Sequence, residues 1–185
     1  MTIGPNFESV LQAARVGADW AWSAIYRDLS PSVLRYLHAR GAKDPEDVLG
    51  EVFVSIVRSL DTFAGGESEF RAWVFRCARN AAIDASRRES RRSLDYVADD
   101  ELRERPGGLS AEEDVLRNLA VDRVLTLLAA VSEQQREVIR LRVLVGLTIE
   151  ETAQVLGRSC GSVKSLQVRG FAALRREIAR EAVSK

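Results

Sequence analysis

The stretch LTIEETAQVLGRSCGSVKS, residues 147–165, carries the signals of two short helices joined by a glycine turn. Thr148 and Glu151 stand three residues apart, the spacing of a capping box, in which each side chain satisfies a backbone N–H at a helix start. Gly157 follows where a left-handed residue would end that helix. Ser159 then predicts the start of a second helix. Its inward stripe, at spacings of three and four, is Val163, Leu166, Gly170 and Leu174.

The second helix leaves polar and basic side chains on its outward face. Two helices joined by a short glycine turn are typical of a helix-turn-helix, whose second helix enters the DNA major groove. Lys and Arg neutralise phosphates there, and Gln pairs with a base edge. An ordinary helical hairpin with a solvated basic face is the alternative that this stretch alone leaves open. The side chains predicted to meet DNA are Ser162, Lys164, Ser165, Gln167 and Arg169.

The composition is that of a globular protein without metal or disulfide chemistry. Hydrophobic residues make up 46% of the 185 residues. Neither an export signal nor a long apolar run is present, so we expect a cytoplasmic protein that does not insert into the membrane. Cys77 and Cys160 lie far apart without Cys or His neighbours, and His38 is the only histidine. No metal, cofactor or catalytic residue is therefore predicted.

Charges are segregated along the chain although the formal net charge is zero. Residues 71–92 hold seven Arg against two acids, and residues 158–180 hold six basic residues against one acid. Between them, residues 93–114 hold eight acids against two Arg. Local clusters of Lys and Arg, rather than total charge, determine phosphate affinity. Two basic patches on separate modules favour a nucleic-acid partner over solvated helix faces.

Apolar periodicity predicts helices throughout the first half of the chain. They are expected over residues 7–16, 19–39, 44–60 and 69–91. Asp44 followed by Pro45 is a strong helix start, with Asp as the N-cap and Pro at the first helical position. On the last of these helices the predicted inward stripe is Phe70, Trp73, Cys77, Ala81 and Ala85.

An acidic segment divides the chain. Residues 93–110 contain Pro-Gly-Gly and many acids and lack apolar periodicity, so we expect a flexible linker there. Ser132 with Gln135 predicts a further helix start. The sequence thus predicts an all-α fold in which residues 1–92 and 111–185 form two small helical domains.

An arginine-rich helix beside a Gly-Gly loop marks the first domain, in FAGGESEFRAWVFRCARNAAIDASRRESRR, residues 63–92. Arg side chains can grip a sugar-phosphate backbone, Asn can read a base edge, and a glycine loop lets the backbone approach an extruded base. Phe63, Phe70 and Trp73 either stack on bases or pack in the core. For Phe70 and Trp73 the apolar stripe favours the core.

Taken in order, these segments resemble the extracytoplasmic-function group of the sigma-70 family. The resemblance lies in DPEDVLGEVFVSIV, in FRAWVFRCARNAAID with its trailing arginines, in the acidic linker, and in SEQQREVIRLRVLVGLTIEETAQVLGRSCGSVKSLQVRGFAALRR. It covers residues 7–178. It implies a sigma-2 bundle and a sigma-4 helix-turn-helix bundle, in a factor that binds core RNA polymerase and directs promoter-specific transcription initiation, with no catalytic chemistry of its own.

The resemblance also implies site residues. The second-domain side chains named above would face the minus-thirty-five promoter element, and the acidic linker would thread through the polymerase toward the RNA exit path. The residues implied to face the melted minus-ten element are Gly65, Gly66, Glu67, Ser68, Arg76, Arg79, Asn80, Asp84, Arg87 and Arg88.

The family's polymerase-binding motif is Asp, two residues, then Gln-Glu, and here it reads Asp47-Val-Leu-Gly50-Glu51. With Arg58 these residues share a polar helix face that leaves two carboxylates available to Arg or Lys of the polymerase. Gly50 replaces the Gln, which either weakens core binding or permits a closer backbone contact. Gly170, inside the last helix, either allows close packing or weakens the helix.

One alternative function is a helix-turn-helix regulator that binds duplex DNA independently of polymerase. Such a regulator would need neither the Gly-Gly loop with its arginine-rich helix nor the acidic face of the polymerase-binding motif. The resemblance implies as partners core RNA polymerase, promoter DNA and an anti-sigma protein that masks the binding faces.

Overall fold

The computed structural model describes residues 4–95 and 130–183, which contain helices and connecting turns but no strand. The helices of the first domain are α1 (Phe7–Arg15), α2 (Asp19–Arg40), α3 (Pro45–Ser59) and α4 (Glu67–Asp95). Those of the second are α5 (Glu133–Ile139), α6 (Ile149–Leu156) and α7 (Cys160–Val183). A π-helical segment, Arg140–Val145, continues α5. The all-α prediction is confirmed.

The predicted linker, residues 93–110, lies outside the described residues except for its first three, which continue α4. The division into domains at 1–92 and 111–185 stays a prediction. Within the two described ranges, no helix is both long and apolar enough to cross a membrane.

The helix-turn-helix forms through the local signals that predicted it. The Glu151 N–H donates to Thr148 Oγ1 at 3.1 Å, and the Thr148 N–H donates to Glu151 Oε2 at 2.7 Å. Gly157 ends α6 with φ of +61°. Ser159 Oγ accepts from the Ser162 N–H at 3.2 Å, so both helix starts and the glycine turn are confirmed.

Two other predicted helix starts differ in what forms them. Ser132 and Gln135 make the expected capping box at the start of α5. Asp44 occupies the N-cap position of α3, but its side chain makes no capping hydrogen bond. Pro45 favours that start, because its ring holds φ near the helical value and it has no N–H to satisfy.

The buried face of α4 is rotated from the one predicted. Phe70 is buried, whereas the other four residues of the expected stripe are only half-buried. The buried residues of α4 are Phe70, Ala72, Val74, Phe75, Ala78 and Ala82. The physical reason is that α4 packs against α3 on one side and against α6 of the second domain on the other. A single-stripe prediction allows for only one neighbour.

In the second domain, α7 packs against α5 and α6. Val163 and Leu166 are buried, as predicted. Gly170 is also buried, and a Cβ at that position would lie 2.9 Å from Ile139 Cδ1 and 3.3 Å from Gln135 Cβ. Of the two roles open for this glycine, the geometry supports close packing of α7 on α5.

The two domains share one hydrophobic core. Leu141, Val145, Leu147 and Val155 of the second domain are buried in the same cluster as the core of the first. The π-helical segment packs on α2, and α6 packs along α4. We call this packing the closed arrangement. It places the helix-turn-helix domain against the arginine-rich helix.

The two cysteines and the single histidine do not form a site. Cys77 and Cys160 are free and half-buried, and burial raises the pKa of the Cys77 thiol. His38 is exposed, with Nε2 4.0 Å from a Glu46 carboxylate oxygen. The described residues bring together no group of three or more His, Cys, Asp or Glu that would hold a metal ion.

Candidate nucleic-acid interface

A pocket of about 570 Å³ lies between the Gly-Gly loop and α4. The ring centroids of Phe63 and Trp73 are 5.2 Å apart, and Phe63 meets the buried Phe70 edge-on at 5.3 Å. One wall of the pocket is therefore aromatic, and its rings pack against one another. The guanidinium of Arg76 lies beside this wall. Its lining is Thr62, Phe63, Ala64, Glu69, Ala72, Trp73, Arg76 and Gln154.

The loop above this pocket depends on its glycines. Gly65 has φ of +146°, and a Cβ there would lie 2.8 Å from Glu69 Cβ. Gly66 donates its N–H to Glu69 Oε2 at 3.1 Å. On the other side, Arg15 donates to the Phe63 carbonyl oxygen at 2.5 Å. The loop is thus fastened to both α1 and α4, so its backbone is held at the pocket mouth.

The predicted minus-ten side chains on α4 fall into two groups. One group is exposed and consists of Arg76, Asn80, Asp84, Arg87 and Arg88. Arg79 is half-buried instead, because it points at the second domain. At the start of α4, Glu67 accepts a hydrogen bond from the Gly4 N–H at 3.0 Å. Most of the predicted minus-ten side chains on α4 are therefore exposed on one side of the first domain. Arg79 and Glu67 instead already make contacts within the chain.

Arg79 lies against the carboxylate of Glu137, a residue of the second domain. The carboxylate of Glu137 is almost fully buried and accepts hydrogen bonds from Tyr36 Oη and Arg40 Nη1. Arg79 Nε lies 3.6 Å from Glu137 Oε1, and Arg140 donates to Oε2 at 3.2 Å. Burial, together with the Glu137 charge, raises the pKa of Tyr36 well above its ordinary value, so the phenol remains a donor.

A second acid, Glu151, also bridges the domains. Ser68 Oγ donates to Glu151 Oε1 at 3.2 Å, and Arg71 Nη1 lies 3.8 Å from the same oxygen. Its other oxygen accepts from Thr148 in the capping box. One carboxylate therefore both caps the start of α6 and contacts the first turns of α4, just after the Gly-Gly loop. Sequence reasoning found the first role through the spacing of three, but the second has no local signal.

The predicted polymerase-binding face on α3 is exposed, including Asp47, Gly50, Glu51 and Arg58. Arg88 Nη2 donates to both oxygens of Glu51, at 2.8 and 2.7 Å. Glu51 is thus already paired within the chain, and the availability of both carboxylates to a cation of the polymerase stays a prediction. Asp47 makes no ion pair with the described part of the chain.

Two apolar residues of this face were missed. Val54 is 49% exposed and Val57 is 53% exposed, beside the acids on α3. The ring of Tyr26, also exposed, lies 4.7 Å from that of Phe53. The missed signal was the presence of valines outside the buried stripe. A surface that combines acidic and apolar side chains is typical of a protein-binding interface.

On α7, Lys164, Ser165 and Arg169 are exposed as predicted, while Ser162 and Gln167 are half-buried. Arg142 Nε donates to Gln167 Oε1 at 3.1 Å. Because a guanidinium only donates, the amide oxygen faces Arg142 and the amide N–H groups remain for another acceptor.

Val168 is a missed member of the same face on α7. It is 68% exposed and follows Lys164 and Ser165 by four and three positions. Those spacings place the three side chains side by side on the helix. The same spacing in the sequence could have identified it.

Comparison with known proteins decides the family. The description "Sigma-70 region 2" matches residues 25–92, and "Sigma-70, region 4" matches residues 122–174. The ECF RNA polymerase sigma factor ShbA of Streptomyces griseus is 37% identical over 154 residues, which cover 78% of this chain and 81% of ShbA. The chain belongs to the extracytoplasmic-function (ECF) sigma factors.

A second ECF sigma factor, BldN of Streptomyces coelicolor, is 32% identical over 169 residues that cover 90% of this chain. The matched part spans 64% of the length of BldN. The family shows that this chain is a transcription initiation factor that works with core RNA polymerase, and it favours this function over a polymerase-independent regulator.

Solved structures share the fold. CnrH in complex with the cytosolic domain of CnrY has a TM-score of 0.73 and 24% identity, and covers 94% of this chain and 97% of the other. The sigma factor RpoE in complex with the anti-sigma factor NepR, from Bartonella quintana, has a TM-score of 0.59 and 23% identity, and covers 84% and 96%.

Proposed function

We propose that this ECF sigma factor divides its work among three surfaces. The exposed face of α3 binds core RNA polymerase, the Gly-Gly loop with α4 opens the minus-ten element, and α7 contacts the minus-thirty-five element. The observation that carries the proposal is the pocket of about 570 Å³ beside the arginine-rich helix. A pocket with an aromatic wall and a flanking guanidinium suits a single extruded base and its phosphate.

The minus-ten surface works by combining this pocket with charge. A base leaving the duplex loses stacking, and the rings of Phe63 and Trp73 offer a replacement. Arg76 lines the pocket, and Asn80 lies one turn further along α4. The proposed surface comprises Gly65, Gly66, Glu67, Ser68, Arg76, Arg79, Asn80, Asp84, Arg87 and Arg88.

The polymerase surface combines Asp47, Gly50, Glu51 and Arg58 with the exposed Val54 and Val57. The two valines provide apolar surface that is buried when the polymerase binds. The charged side chains fix the alignment of the two proteins. Arg88 hydrogen-bonds to both carboxylate oxygens of Glu51. Glu51 therefore contacts the polymerase only if Arg88 releases the carboxylate or takes part in the same contact.

The minus-thirty-five surface is the outward face of α7, with Ser162, Lys164, Ser165, Gln167 and Arg169. Lys164 and Arg169 supply charge for phosphates. With its carbonyl toward Arg142, Gln167 is oriented to donate to a base acceptor such as guanine O6 or N7.

Three further features complete the proposal. The chain acts by binding and positioning, without catalytic groups, in the cytoplasm with the polymerase. Its domains are those expected at residues 1–92 and 111–185. An anti-sigma protein holds it inactive, as the solved complex of RpoE with NepR suggests for a chain of this fold. Purification from the native cell should recover a second protein with it, and recovery of the free chain alone would contradict this partner.

In vitro transcription tests the main function. Core RNA polymerase supplemented with this chain should begin RNA synthesis at defined sites across a genomic promoter library, and core alone should not. Trp73→Ala should reduce open-complex formation while leaving core binding intact, since Trp73 lies in the pocket and not on α3. If the supplemented polymerase begins at no defined site, the proposed function is wrong.

A further inference from the structure

We propose that Tyr36, Arg40 and Arg79 form an anion-binding site on the first domain, and that this site holds a backbone phosphate of the promoter strand in the initiation complex. The inference rests on the proposed function and extends it, because Tyr36 and Arg40 lie outside the minus-ten surface described above. In the closed arrangement the carboxylate of Glu137 occupies the position of that phosphate.

The first domain builds the site by itself. Tyr36 is fully buried, and its ring packs edge-on against Phe75 with centroids 6.0 Å apart. This packing fixes the phenol oxygen. Arg40 comes from the last turn of α2, with a side chain 16% exposed, and Arg79 comes from α4. Donors from two helices thus converge on one anion, which is the form that arginine recognition of carboxylate and phosphate takes.

Glu137 leaves part of the site unused. Tyr36 donates to one carboxylate oxygen and Arg40 to the other. Arg79 Nε is buried without a hydrogen-bond partner, and at 3.6 Å from Glu137 Oε1 it is beyond good hydrogen-bond distance. A phosphodiester is larger than a carboxylate and carries four oxygens instead of two. Because its oxygens surround a tetrahedral phosphorus, a phosphodiester extends further than the Glu137 carboxylate and can bring an oxygen within hydrogen-bond distance of Arg79 Nε.

Glu137 can leave the site without becoming an unpaired charge. Arg140, on the same domain, donates to it at 3.2 Å and keeps this contact when the domains separate. Separation also returns the Glu137 carboxylate and the Arg40 guanidinium to water, so neither charge is left buried and unpaired. Separation would also remove Gln154 from the wall of the aromatic pocket. Opening of the domains would therefore expose the pocket and the anion site together.

The two sites also lie within reach of one strand. Arg79 stands three positions after Arg76, which lines the pocket, and one before Asn80. Residues three apart on a helix are neighbours on its surface. A strand whose base enters the pocket would thus pass the anion site with an adjacent phosphate.

The test uses holoenzyme reconstituted from core RNA polymerase and the full chain, on a promoter identified by in vitro transcription. Nontemplate-strand probes carry an uncharged methylphosphonate at one phosphate at a time. We expect one position at which the neutral linkage weakens wild-type binding about tenfold and weakens Arg40→Gln binding far less. Tyr36→Phe, which keeps the ring, should show the same position. Arg27→Gln, exposed on the same helix, is the matched control and should keep the wild-type profile.

The polymerase-free chain gives a second, independent readout. If these residues only held the domains together, Arg40→Gln and Glu137→Gln would both expose α4 and both raise affinity for the strand. The anion site predicts opposite signs, with affinity raised by Glu137→Gln and lowered by Arg40→Gln. Tyr36→Phe decides if Arg40→Gln fails to fold.

Changes of the same sign, or a methylphosphonate profile that is identical in wild type and both site variants, overturn the proposal. If wild-type holoenzyme initiates normally in that case, only the anion site is rejected. A holoenzyme that initiates nowhere rejects the site and the proposed function together.

Discussion

Arg88 on α4 donates two hydrogen bonds to the carboxylate of Glu51 on α3, at 2.8 and 2.7 Å. The contact joins the helix proposed to bind DNA to the helix proposed to bind polymerase. Lys43 and Glu89 form a neighbouring link between the α2–α3 turn and α4 at 2.8 Å. A cation of a binding partner would therefore compete with Arg88 for the Glu51 carboxylate.

This competition predicts opposite effects of the two halves of the pair on core binding. Glu51→Gln should weaken association with core RNA polymerase because it removes a charge from the α3 face. Arg88→Gln should strengthen it at low salt, because it releases that charge to a cation of the polymerase. Titration of labelled core with each variant, at low and high salt, measures both. Equal weakening by both would show that the intact pair is the binding element.

The two mid-helix glycines predict opposite effects on stability. A Cβ at Gly50 would meet nothing within 4 Å, so Gly50→Ala should stabilise the fold by about 1 kcal/mol. Gly170→Ala should destabilise it, because its Cβ would lie 2.9 Å from Ile139 Cδ1. Thermal unfolding of the matched pair measures the contrast. A rise in melting temperature for both would contradict the close packing of α7 on α5.

Local signals in the sequence predicted what local chemistry determines. The capping boxes at Thr148 and Ser132 and the glycine turn at Gly157 depend on residues within a few positions, and all three form. The buried face of α4 was misassigned: Val74 and Ala78, outside the predicted stripe, are buried, and α4 packs against α6, which lies far along the chain, as well as against α3. For the same reason no spacing pointed to Glu137, whose partner Tyr36 is 101 residues away.

The raised pKa of Tyr36 predicts a loss of stability at alkaline pH. The folded state holds the phenol proton above the ordinary tyrosine pKa of about 10, where the unfolded chain releases it. The contribution is therefore fully present below about pH 10 and is lost as the pH rises toward the folded-state value. Unfolding by urea between pH 8 and about 11 measures this slope. Tyr36→Phe should flatten it, and an unchanged slope would assign the alkaline loss to other groups.

The outward face of α7 predicts two distinguishable kinds of DNA contact. Gln167 is oriented by Arg142, so Gln167→Ala should change preference at one base pair by about 1–3 kcal/mol. Lys164 is exposed and is proposed to contact phosphate, so Lys164→Ala should weaken all promoter sequences alike and lower the salt dependence of binding by about one unit of log–log slope. Arg142→Gln should relax the base preference at the same base pair as Gln167→Ala, because the Gln167 amide is then free to rotate.

Holoenzyme binding to single-base variants of one promoter, at several salt concentrations, separates these outcomes. Identical profiles for Gln167→Ala and Lys164→Ala would mean that Gln167 does not read a base.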